Sequence, residues 1–160
     1  MRLDPQDRYD SLFMHYAAMN WSRRDGWIER PIPLDWKLLK RQGQAESDLH
    51  PEAISRAGAK GLMQFMDATW EEWARNEYGP DAPPRRFISQ FDPEQSISAA
   101  ADMMAWLLRV FQQDIRKALA SYNYGVGNVS RLLKTHGPAW EEHLPDETVG
   151  YLRKILGEPV

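Results

Sequence analysis

A single glutamate, Glu46, opens a set of amide, hydroxyl and phenol side chains that is spread over three segments of the chain. The segments are Gln44-Ala45-Glu46-Ser47 with Ser55 and Gly61-Leu62-Met63-Gln64, then Ala120-Ser121-Tyr122-Asn123-Tyr124-Gly125, then Leu144-Pro145-Asp146-Glu147-Thr148 with Tyr151. One carboxylic acid can donate a proton and take one back, and the neutral polar groups can hydrogen-bond hydroxyl and acetamido groups. This combination suits acid-catalysed cleavage of a sugar polymer.

The position of Glu46 favours the protonated acid. Helical spacing over residues 34–46 predicts a helix whose last turn carries Glu46, where the negative end of the helix dipole disfavours a carboxylate. Shielding by the apolar Leu62, Met63 and Phe65 would act in the same direction, because burial disfavours the charged form. Both effects raise the pKa of Glu46, as a general acid that works near neutral pH requires.

The remaining polar residues each have a local and a functional interpretation. Ser55 either closes a short helical turn or hydrogen-bonds Glu46 or a sugar. Gln64 is either a surface residue or a group that holds an N-acetyl substituent through its amide. Tyr122 and Asn123 either mark a helix end or present a phenol and an amide to a saccharide at a glycine-rich corner.

The three segments resemble the motifs of the soluble lytic transglycosylase domain family in order and separation, from about residue 38 to 156. The resemblance implies a lysozyme-like, all-helical fold and cleavage of the β-1,4 bond between N-acetylmuramic acid and N-acetylglucosamine in peptidoglycan. It implies that Glu46 is the single general acid and base and that the product is 1,6-anhydro-N-acetylmuramic acid. The substrate-binding residues that it implies are Ser55, Gln64, Met66, Tyr122, Asn123, Glu147 and Tyr151.

Three positions depart from the family pattern. Asp67 stands where proline is usual, Ser121 stands where alanine is common, and Tyr124 replaces a small residue. None of them is Glu46, so we expect them to affect subsite preference rather than activity.

Two other functions stay open at this point. A hydrolytic lysozyme on the same fold would need a second carboxylate to activate water, and Asp48 and Glu52 are the candidates. A non-catalytic component of a phage particle or secretion apparatus could bind glycan strands without cleaving them.

Apolar spacing predicts helices throughout and no alternating strand pattern. The predicted helices cover about 4–26, 34–46, a short turn at 51–55, 69–78, 92–111, 114–122, 126–135 and 146–156. The fold class is therefore all-α: a single compact lysozyme-like domain of about seven to nine helices with little or no β-structure. Residues 1–36 are expected to be a helical extension packed on a domain at 37–160.

Composition excludes several classes of protein. The 160 residues contain no cysteine, so disulfides and thiolate sites are absent. The net charge of −3 argues against nucleic acid as a partner. The four histidines lack metal-ligand spacing, so neither a metal nor a cofactor is expected.

The expected partner is the glycan strand of peptidoglycan, bound by a monomer. No apolar run reaches the length of a membrane span, and no signal peptide is evident. The expected place of action is the bacterial cell wall or periplasm, reached by a phage-encoded protein or by a trimmed exported one. Of the seven tryptophans, most are expected in the core, with one or two lining a sugar-binding groove.

Overall fold

The computed structural model describes residues 4–19, 34–78 and 88–158, and helices dominate these ranges. The α-helices are α1 (Asp10–Ala18), α2 (Trp36–Ser47), α3 (Asp67–Tyr78), α4 (Pro93–Val110), α5 (Ile115–Tyr124), α6 (Val126–His136) and α7 (Asp146–Leu156). Pairing of extended backbone in the described ranges is limited to two isolated bridges, Ile54 with Lys60 and Lys60 with Phe65. The all-α prediction is confirmed.

The chain divides into two compact units, Met1–Asp102 and Met103–Val160, with the boundary inside α4. Each unit has its own fully buried apolar side chains, whose removal from water stabilises it. In the first unit these include Phe13, Leu39, Leu62, Met63 and Ile97. In the second unit they include Met104, Leu107, Leu119, Leu152 and Ile155.

The first predicted helix, over 4–26, is wrong as a continuous element. Asp4 caps a 3₁₀ turn at Pro5–Asp7 by accepting a hydrogen bond from the backbone N–H of Gln6 at 2.9 Å. The α-helix begins only at Asp10 and ends at Ala18. The part of this prediction at 20–26 lies outside the described residues.

Polar contacts hold the N-terminal segment to α2. The ammonium of Lys40 lies 3.0 Å from a carboxylate oxygen of Asp7 and 2.7 Å from one of Asp10. Burial lowers the pKa of Lys40, but its hydrogen bonds to the two aspartates outweigh burial and raise it. Gln6 adds a hydrogen bond with the Gln44 amide at 3.0 Å. The segment is thus attached to α2 at Lys40 and Gln44.

The segment after α2 differs from its prediction. No helical turn forms at 51–55; the backbone N–H of Ala53 bonds the carbonyl of His50 and the chain enters the Ile54–Lys60 bridge. Helix α3 starts at Asp67, two residues before the predicted start. The carboxylate of Asp67 accepts from the Lys60 ammonium at 2.9 Å and from the Gln90 amide at 2.7 Å. Asp67 therefore ties the segments that carry Lys60 and Gln90 to the start of α3.

In the second unit, α5 is fixed at its start. Asp114 caps it by accepting from the backbone N–H of Lys117 at 3.1 Å. Burial raises the pKa of Asp114, but hydrogen bonds from Lys117 lower it by more, so its pKa lies below the ordinary value of an aspartate.

Arg116 makes a two-pronged contact with Glu141, at 2.7 and 2.8 Å, and also bonds Glu158. These contacts join α5 to the segments on either side of α7.

Candidate active site

Glu46 lies half-buried in the last turn of α2, as the helical pattern predicts. The helix ends abruptly behind it, because Asp48 and Leu49 both have left-handed backbone conformations, with φ of 53° and 60°. Non-glycine residues avoid this region, and two in succession turn the chain sharply. The carboxyl group therefore stands where the helix carbonyls and the negative end of the dipole are concentrated.

A glycine and a serine bring the loop at 61–64 against the turn of α2 that carries Glu46. A Cβ on Gly43 would lie 2.9 Å from the Leu49 side chain and 3.1 Å from those of Leu62 and Met63. One turn later, the Ser47 hydroxyl donates to the backbone carbonyl of Leu62 at 2.7 Å. Because Leu62 and Met63 are fully buried, this loop has little freedom relative to α2.

Gln64 occupies the tip of the same loop in a left-handed conformation, with φ of 55°. Its amide nitrogen donates to the carbonyl of Gly61 at 2.8 Å and to that of Ala53 at 3.2 Å. Both amide protons are thereby used inside the protein, and no described residue donates to the side-chain carbonyl oxygen. The side-chain carbonyl oxygen of Gln64 therefore keeps its capacity to accept a hydrogen bond.

Ser55 is exposed and closes a tight loop. Its hydroxyl accepts from the backbone N–H of Ala59 at 3.0 Å, and its own N–H bonds the Ala59 carbonyl at 2.9 Å. A serine hydroxyl that accepts still has its proton to donate, so the local and functional interpretations are compatible. Met66, at 45% exposure, offers an apolar surface on the same segment. The first unit thus places Glu46, Ser55, Gln64 and Met66 on α2 and the segment that follows it.

The second unit carries the other expected residues on α5 and α7, which pack together. Tyr122 and Asn123 are half-buried in the last turn of α5, which stops at Gly125 with φ of 97°. Glu147 is exposed in the first turn of α7, whereas Tyr151 is buried, with 7% exposure.

Thr148 is the residue that sequence reasoning did not single out. It is 1% exposed, and its hydroxyl donates to the side-chain carbonyl oxygen of Asn123 at 2.8 Å. Thr148 follows Glu147 directly in the third of the segments quoted from the sequence. The sequence therefore placed it near the expected site residues but did not indicate its hydrogen bond to Asn123.

The two carboxylates considered for a hydrolytic enzyme have exposed side chains. Asp48 accepts a hydrogen bond from the Gln6 amide at 3.3 Å, and Glu52 lies in the turn after α2. Among the residues that the structure describes, no group of three or more His, Cys, Asp or Glu could hold a metal ion. None of the helices in the described ranges is long and apolar enough to cross a membrane.

The helices define a lysozyme-like, all-α domain. Solved structures with this fold include the 70 kDa soluble lytic transglycosylase Slt70 from Escherichia coli, with a TM-score of 0.74 and 25% identity over 95% of this chain. An inactive mutant of the lytic transglycosylase Slt from Pseudomonas aeruginosa also matches, with a TM-score of 0.72 and 24% identity over the same share. This chain covers 23% of each of those proteins.

Residues 33–144 match the model of the transglycosylase SLT domain, so the chain belongs to that family. The membrane-bound lytic murein transglycosylase F of Histophilus somni is 35% identical over 65% of this chain. The peptidoglycan transglycosylase gp16 of Escherichia phage T7 is 30% identical over 95% of it. This chain spans only 21% and 10% of the lengths of these two relatives.

Proposed function

We propose that this chain cleaves the glycan strands of peptidoglycan as a lytic transglycosylase, with Glu46 as its only catalytic carboxylic acid. The observation that supports this most is the position of Glu46: half-buried in the last turn of α2, inside the family match, and beside a loop held by Ser47. The curated relatives from Histophilus somni and phage T7 are themselves transglycosylases of murein or peptidoglycan.

The proposed reaction needs one proton donor and no water. Glu46 gives its proton to the oxygen of the bond between N-acetylmuramic acid and N-acetylglucosamine, and that bond breaks. The acetamido oxygen of the muramic acid attacks its own anomeric carbon and forms an oxazolinium ion, a known departure from two-carboxylate catalysis. The Glu46 carboxylate then takes the proton from the C6 hydroxyl, whose oxygen attacks the anomeric carbon and reopens the oxazolinium. The product is a 1,6-anhydro sugar, and Glu46 is again protonated.

The binding residues have complementary properties in this proposal. Gln64 offers a carbonyl oxygen that can accept from a sugar N–H or O–H, and Ser55 offers a hydroxyl proton. Met66 offers an apolar surface to the glycan, and the phenol of Tyr122 is the expected contact of its acetamido group. The other expected contacts with glycan are Asn123, Glu147 and Tyr151.

Replacement of Glu46 by glutamine tests the proposal, because the amide keeps the shape and cannot transfer the proton. We expect release of muropeptides from purified sacculi to fall by about 10²–10⁴-fold with an unchanged melting temperature, the usual contribution of general acid–base catalysis. In the P. aeruginosa lytic transglycosylase Slt, one such glutamate-to-glutamine replacement gives an inactive mutant. Full activity in Glu46→Gln would refute the assignment.

Matched control variants separate the transglycosylase from a hydrolytic lysozyme. Asp48→Asn and Glu52→Gln remove the two other carboxylates near Glu46 in sequence, and we expect both to retain activity. Mass spectrometry should find products one water lighter than those of hydrolysis. Products that contain the added water, together with loss of activity in either control, would assign a lysozyme mechanism instead. Failure of the unmodified protein to release any fragment from sacculi would favour the non-catalytic alternative.

We also propose that residues 1–36 form an extension packed on the domain at 37–160 and that the setting is a bacteriophage protein acting on the wall. The family match starts at residue 33, whereas similarity to the phage T7 protein covers 95% of the chain. The contacts of Lys40 with Asp7 and Asp10 give this extension a structural basis.

A further inference from the structure

We propose that Thr148 is a positioning residue that fixes the direction of the Asn123 side-chain amide, so that Asn123 offers its NH₂ group to the glycan. This inference rests on the proposed function, because it specifies how one residue of that site meets the substrate. It adds a residue that does not itself touch the sugar.

The first step concerns the contact between the two side chains. Thr148 is 1% exposed, so its hydroxyl has no access to solvent. A hydroxyl has one proton, and that of Thr148 is donated to the carbonyl oxygen of the Asn123 side chain at 2.8 Å. A buried hydroxyl without a partner is costly, so Thr148 strongly favours the rotamer of Asn123 that brings its carbonyl oxygen to the hydroxyl.

The second step concerns the other end of the Asn123 amide. Once its carbonyl oxygen is engaged by Thr148, the NH₂ group points away with two protons, and no described residue accepts from it. Asn123 is half-buried at the end of α5, so these protons are within reach of a bound ligand. The sugar atom that meets them must be an acceptor, such as a hydroxyl, ring or acetamido carbonyl oxygen.

The side-chain amide of Gln64 is also held at one end by internal hydrogen bonds, but at its nitrogen rather than at its oxygen. There the nitrogen is engaged by the carbonyls of Ala53 and Gly61, and the oxygen is offered. In both Gln64 and Asn123, one end of the side-chain amide is thus held by the protein and the other end is left for a ligand. An asparagine left free to rotate would offer either end and would discriminate less between donors and acceptors of the substrate.

The test compares Thr148→Val with Thr148→Ser. Valine keeps nearly the same shape and loses the hydroxyl, whereas serine keeps the hydroxyl. We expect kcat/KM on soluble glycan strands to fall about 3- to 10-fold in the valine variant, the effect of one lost hydrogen bond, and to recover to within about twofold in the serine variant. Thr135→Val, an exposed threonine of α6, controls for the substitution itself. All rates are measured at a temperature at which circular dichroism shows each variant fully folded.

A double-mutant cycle asks whether Thr148 acts through Asn123. In an Asn123→Ala background, Thr148→Val should cost little further activity. The same fold loss in both backgrounds, or an unchanged kcat/KM for Thr148→Val alone, would overturn the proposal.

Asn123→Asp tests the direction of the hydrogen bond to the sugar. The carboxylate still accepts from Thr148 but has no protons to donate, so we expect activity as low as in Asn123→Ala. Wild-type activity in this variant would mean that Asn123 acts as an acceptor, and would also overturn the proposal. If instead the proposed function itself is wrong, the unmodified protein will release no 1,6-anhydro product, which is a separate result.

Discussion

Gly61 should be among the positions of the loop beside Glu46 that are least tolerant of substitution, and Gly58 provides its matched control. Both residues have left-handed backbone conformations, with φ of 82° and 94°. A Cβ on Gly58 would meet nothing within 4 Å, whereas a Cβ on Gly61 would lie 1.8 Å from the backbone carbonyl oxygen of Gln90. Alanine at either site meets the conformational penalty, and only at Gly61 does it meet a clash.

The two costs can be separated. Alanine in a left-handed conformation costs about 1–2 kcal/mol, which we expect as the whole effect of Gly58→Ala. At Gly61, ordinary contact begins at 3.4 Å, so the Gly61 and Gln90 backbones must move apart by at least 1.6 Å. That movement strains the bonds of Gly61 with Ala53 and Gln64, each worth about 0.5–1.5 kcal/mol. We therefore expect Gly61→Ala to cost about 2–5 kcal/mol.

Urea denaturation, followed by circular dichroism, measures both free energies of unfolding. The melting temperature should fall by about 2–4 °C for each kcal/mol in a chain of this size. Equal losses in the two variants would refute the reasoning, since the close approach of Gln90 would then have no energetic consequence. A larger loss in Gly58→Ala would refute it more directly.

Two further predictions concern α5. Ser121 is 3% exposed, and its hydroxyl has no hydrogen-bond partner among the described residues. Because a buried hydroxyl without a partner is destabilising, Ser121→Ala should raise the free energy of unfolding by about 1 kcal/mol. A lower melting temperature in that variant would show that the hydroxyl has a hydrogen-bond partner. Because the pKa of Asp114 is lowered in the folded state, its stabilisation is present above pH 3.8 and lost as the pH falls through the lowered pKa. Asp114→Ala should therefore cost about 1 kcal/mol at pH 7 and less in urea titrations near pH 3, and a cost independent of pH would contradict this.

The sequence was sufficient wherever a local pattern decides the outcome. Apolar periodicity placed Glu46 in the last turn of α2, and the helix predicted over 92–111 is α4, at Pro93–Val110. From α2 onward, the helix ends lie within two residues of their predicted positions.

The sequence was insufficient wherever distant segments meet. The helix predicted over 4–26 breaks at Arg8 and Tyr9, and the N-terminal segment instead contacts Lys40 on α2. The left-handed conformation of Gln64 depends on hydrogen bonds to Gly61 and Ala53. No propensity encodes such contacts, since they exist only after the loop has folded back.

Gly43 is an exception to a common rule of protein engineering. Replacing a glycine inside a helix with alanine is normally a safe way to gain thermostability, because the unfolded chain loses freedom. At Gly43 the added methyl group would press on three buried side chains and displace the loop that Ser47 fastens to α2. A stabilised variant of this domain should leave that glycine alone and use the helical Gly150, where a methyl group would meet empty space.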